Sequence, residues 1–113
     1  MKSQERISPD DIFRDGIIGS WAECELPYSV VTFAANGKYS SKMWKTPQKK
    51  EIILAVWGKW WIKNGRLYNM IHKINPPLIP RMNKPVVDII VSVSSTKMIL
   101  IDETGRRYEK WRL

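Results

Sequence analysis

Short runs of alternating apolar and polar residues, separated by turn-forming residues, occupy most of this chain. The clearest of them spans residues 55–68. Trp57, Trp60 and Trp61 fall just ahead of an Asn64-Gly65 pair, and the alternation resumes after it. Asn-Gly between two such runs predicts a two-residue type I′ hairpin, because both central positions need φ > 0. That turn sets the register: Lys63 faces Arg66, Ile62 faces Leu67 and Trp60 faces Asn69. Trp60 and Ile62 then share one face, Trp57 and Trp61 the other, so both faces of the hairpin are apolar.

The remaining pattern gives one helix and further strands. Ser8 is placed to cap a short helix over 8–16, with Pro9 at its first position, Asp10 and Asp11 at the positive end of the dipole and Gly16 to terminate it. Strands are expected over 17–25 (ended by Pro27), 28–34, 39–45, 52–62, 66–74, 86–94, 97–101 and 107–112. Asn36-Gly37 turns the second strand into the third, setting Phe33 opposite Tyr39, with Gly37 left-handed in a bulged turn. Four prolines between Asn75 and Pro85 exclude a ladder strand there and predict a long loop. In 86–94 the alternation puts Val87, Ile89, Val91 and Val93 on one face and Asp88, Ser92 and Ser94 opposite. Eight sequential antiparallel strands with short links predict an all-β, up-and-down barrel with a short N-terminal helix, which removes sheet edges by closing on itself.

Composition supports a single domain over 8–113 after a frayed lead-in, 1–7. The 113 residues include six tryptophans, several times the chance expectation of roughly 1–2%, so large flat side chains build the core or a surface. No run approaches the roughly 18 apolar residues of a membrane span. The first residues lack the apolar segment of a signal peptide, which predicts a cytoplasmic protein, or a periplasmic or envelope one whose export signal has been removed. Cys24 stands alone, so there is no internal disulfide; on a strand it is expected to be a small buried hydrophobe. Net charge is +8, with three basic and six acidic residues in 1–25 against sixteen and five in the remainder. The basic body raises nucleic acid, anionic lipid or an acidic protein as partners, beside the plainer reading of a solvated surface.

The short helix before Gly19-Ser-Trp21, the Asn-Gly turns and the basic last strand together resemble the small bacterial lipocalin-like domains of the calycin group. That resemblance implies an eight-stranded barrel closed at one end by the helix. It implies that Trp21 plugs the closed end and that an arginine of the last strand packs on it, Arg112 first and Arg107 as the fallback. The chain is shorter than full-length lipocalins and lacks their disulfide cysteines, which predicts a small or filled interior.

Candidate chemistry is sparse. His72 has no partner at a zinc-like spacing, no serine sits in a nucleophile elbow, and no glycine-rich phosphate loop precedes a helix. Glu23 and Glu25 share a strand face, expected to point outward because burying them would require cationic partners. Neither a catalytic centre, a metal site nor a cofactor is expected. Trp21, Phe33, Tyr39, Met43, Trp60, Ile62 and Leu67 are expected inside, either filling the barrel or lining a pocket for a small apolar or flat ligand. Trp57, Trp61, Tyr68 and Met70 are expected outside, as an interface for a second copy or an acidic protein partner. Lys42, Trp44, Lys45, Lys59, Trp61 and Lys63 also match a single-stranded nucleic-acid platform, disfavoured because the helix of an oligonucleotide-binding barrel is missing.

Overall fold

A computed structural model describes residues 8–23, 26–46, 48, 50–75 and 83–113, without the side chains of 26 and 27. Within them, the helix α1 (Pro9–Ile17) precedes eight strands: β1 (Gly19–Glu23), β2 (Leu26–Phe33), β3 (Lys38–Trp44), β4 (Ile52–Lys63), β5 (Arg66–Asn75), β6 (Val86–Val93), β7 (Lys97–Ile101) and β8 (Arg107–Arg112). Each strand pairs antiparallel with the next, and β8 returns to β1 to close the barrel. The two Asn-Gly turns hold the registers expected of them. Lys63 pairs with Arg66 and Trp60 with Asn69, while Phe33 pairs with Tyr39. Asn64 and Gly65 take φ of 52° and 74°, and Gly37 takes 87°.

The helix closes one end. Its cap is made by Ser8, whose Oγ accepts from the Asp11 N–H at 3.2 Å. Asp10 then reaches across to the β4–β5 turn, where its two carboxylate oxygens accept from the N–H groups of Asn64 and Gly65, each at 2.8 Å. Arg14 donates to the Ala35 carbonyl at 2.9 Å and lies over the Trp60 ring. Gly16 lies within the helix, not at its end. A Cβ there would sit 2.9 Å from a Val93 methyl, so the absence of a side chain lets the helix settle on β6. Below it, Ile17, Trp21, Val31, Phe33, Trp60, Leu67, Ile90, Met98 and Leu100 form one buried cluster. Removing this much apolar surface from water, at roughly 25 cal/mol per Å², is the main force that organises the closed half.

Several boundaries and faces differ from the sequence expectations. Ile17 belongs to the helix, so β1 starts at Gly19; Pro27 lies inside β2 instead of ending β1. In β6 the apolar alternation is turned outward. Asp88 pairs with the inward Leu67, so Asp88 and Ile90 face the interior while Val87 and Ile89 face out. A bulge at Val91 then brings Val93 inward, opposite Met98. Glu23 points inward as well, onto Lys110. The lead-in 1–7, Cys24, Glu25 and most of the proline loop, 76–82, lie outside the described residues.

Candidate functional site

Two parts of the barrel are candidates for meeting another molecule: the inward-facing side chains of the half away from the helix, termed its open half, and a groove on its outer wall. The first begins with the pleat. From the inward Arg112, period-two alternation places Lys110 and Tyr108 on the inner face of β8. Lys110 is 5% exposed, and its Nζ donates to a Glu23 oxygen at 2.6 Å. The Tyr108 hydroxyl donates to Asp88 Oδ2 at 2.6 Å, and Lys110 lies 5.2 Å from the Tyr108 ring centroid. Two acids, one lysine and one phenol thus form a polar layer above the apolar plug.

Electrostatics in this layer follow from burial. Loss of water pushes the Asp88 carboxyl above the usual carboxylate range, while the Tyr108 hydrogen bond and Lys110 pull the other way. Burial, then the adjacent Asp88, pushes the Tyr108 phenol up. Tyr39 is raised by burial and by Glu23. Asn69 Oδ1 is buried and has no hydrogen-bond partner among the described residues. Asn69 pairs with the inward Trp60, so it shares the interior face. Register places Ser29, Ser41, Met43, Leu54, Val56, Ile71 and Ile74 on the same face toward the open end.

The expected lining residues therefore separate by depth. Trp21, Phe33, Trp60 and Leu67 are at most 2% exposed and belong to the packed plug. Tyr39 packs against that cluster at its edge, and Met43 faces the open half, opposite Ser29 and Leu54. At the closed end Arg112 sits 4.0 Å from the Trp21 ring centroid. It donates to the carbonyls of Ile18 and Gly16, and Trp21 Nε1 donates to Ile17 O at 2.8 Å. Arg107, the fallback, is exposed at the start of β8. Sequence reasoning missed Asp88, Tyr108, Lys110 and Asn69. Extending the alternation from Arg112 finds two of them; Asp88 was hidden because its apolar neighbours face out.

On the outer wall, Trp61 stacks on Tyr68 at 5.3 Å with planes 10° apart, and Met70 follows on the same face of β5. Trp57 faces outward beneath Lys73, whose Nζ is 5.1 Å from its ring centroid. A half-open groove of about 610 Å³ runs beside it, lined by Lys38, Ser40, Lys42, Trp57, Lys59 and His72 among others. His72 is the extra residue where the β4–β5 register shifts between Trp57 and Gly58, and the bulge aims it into the groove. Among the described residues no three His, Cys, Asp or Glu side chains converge to hold a metal ion. No helix there is long and apolar enough to cross a membrane.

No protein-family model matches the chain, and no curated protein matches it in sequence. Its fold does match a solved structure. A lipocalin-like protein from Bacteroides uniformis superposes with a TM-score of 0.64 at 10% identity, over 87% of this chain and 99% of that one. The barrel is therefore lipocalin-like in fold; at that identity the likeness extends to architecture alone.

Proposed function

We propose that the protein is a non-enzymatic carrier that takes a small, flat, largely apolar molecule into the open half of its barrel. The observation that carries this reading is Asn69 Oδ1, a buried acceptor without a donor among the described residues. Leaving such a group unpaired costs about 1–3 kcal/mol, and a ligand bringing one N–H or O–H recovers it. The rest of the inner face suits that ligand. Met43, Leu54, Val56, Ile71 and Ile74 supply apolar walls, and the Asp88–Tyr108 pair adds polar groups at the depth where the plug begins. This division matches the general form of ligand sites, mostly apolar with a few placed polar groups.

N-phenyl-1-naphthylamine, flat and apolar with a single N–H, is a suitable probe. Its fluorescence should rise saturably on titration with the protein, at one site per chain. Asn69→Leu should weaken binding about ten-fold, the loss of one buried hydrogen bond, while leaving the thermal midpoint unchanged or higher. Absence of saturable binding, together with native mass spectra free of any co-purified molecule, would contradict the proposal.

A further inference from the structure

The outer groove carries a charge arrangement that folding alone does not favour. Lys38 and Lys59 are direct cross-strand partners on the outward face of β3 and β4. Like charges placed opposite one another destabilise a sheet. Among the described residues neither side chain, nor that of Lys42, makes an ion pair that would relieve this. Lys42 follows two pleats along β3 from Lys38, with the Ser40 hydroxyl between them on the same face. Trp57 lies across from Ser40 on β4, and His72 closes the groove's side. A smaller hollow of about 220 Å³ continues the trough past Thr32, Ser40 and Lys42 to Trp44. From Lys38 to Trp44 the strand runs for about 20 Å. Local rules broken without compensation inside the protein mark functional positions.

We infer that this trough is a binding site for single-stranded nucleic acid. Its lysines would neutralise successive phosphates, and Trp57 would stack a base. Two cations four residues apart on β3, with a third facing the first of them from β4, track an extended anionic chain. A flat indole beside them distinguishes a nucleic acid from a plain polyanion, since base–aromatic stacking tolerates any sequence. The outer wall is separated from the barrel interior by the sheet itself, so this site is independent of the ligand proposed above.

The test is fluorescence anisotropy with a labelled oligothymidylate of about twelve nucleotides, against ATP and heparin as competitors. Binding should be measurable at about 50 mM salt and fall with a log–log slope of about −2, for three phosphates neutralised. Lys38→Gln should weaken binding and flatten that slope by about 0.7, yet raise the thermal midpoint by about 2 °C by removing the like-charge pair. Trp57→Ala should weaken it about ten-fold and Trp57→Phe much less. Asn69→Leu should leave it unchanged. No binding at low salt would overturn the inference. So would equal affinity for ATP, heparin binding with Trp57→Ala indifferent (a generic basic face), or Lys38→Gln without effect on affinity.

Discussion

Arg112 seals the packed end by two means at once: its guanidinium covers the Trp21 ring and its N–H groups satisfy the carbonyls of Gly16 and Ile18 at the end of the helix. Arg112→Ala removes the cover and leaves two carbonyls without donors. A loss of about 3 kcal/mol is expected from hydrogen bonds to a charged group and the cation–π contact, read as a lower urea midpoint. Arg112→Lys should recover only part of it, because a single ammonium cannot reproduce the planar fork. Asp88 makes a second prediction. Its carboxyl is raised in the folded state, chiefly by burial, so the native protein holds that proton more tightly than the unfolded chain. Its contribution to stability is full below about pH 4, the unfolded carboxylate value, and is lost as pH rises through the folded one. Urea midpoints of wild type relative to Asp88→Asn should therefore decline from about pH 4 upward; a rise would contradict the buried placement.

Single elements show what was legible and what was not. The β4–β5 hairpin was readable because its determinants are local: Asn64 and Gly65 tolerate positive φ, and the period-two pattern then fixes every pair. The clamp on that same turn was not, because Asp10 lies more than fifty residues away in sequence. Nothing in an N-terminal acidic pair distinguishes a carboxylate that serves its own helix from one that caps a distant turn. Asp10→Ala should free the two turn N–H groups and loosen the helix, at a cost of about 1–2 kcal/mol. Hydrogen exchange should then show faster exchange at Asn64 and Gly65 with β7 unchanged. Bulges were equally hidden, since His72 and Val91 shift the register without any residue type that announces them. In β6 the outward valines carried the strongest periodic signal, which concealed the inward Asp88.

Across the whole molecule, strand count and turn chemistry sufficed for the eight-stranded closed barrel, while the plugged end was an expectation from the family resemblance, carried by the short helix and Gly19-Ser-Trp21. Which inward residues join the packed plug depends on depth along each strand, a property set jointly by eight registers and barrel tilt. Trp21, Phe33, Trp60 and Leu67 share a face with Met43 yet are consumed by the plug. The central claim is that the proposed small apolar ligand binds in the open half, above the Asp88–Tyr108 layer. Two-dimensional NMR of the labelled protein titrated with N-phenyl-1-naphthylamine tests it most directly. Saturation should shift the Asn69 side-chain amide with Met43, Val56 and Ile71, and leave Trp21, Ile90 and Met98 in place. Shifts centred on the plug, or on the Trp57 groove with Asn69 unmoved, would contradict the account.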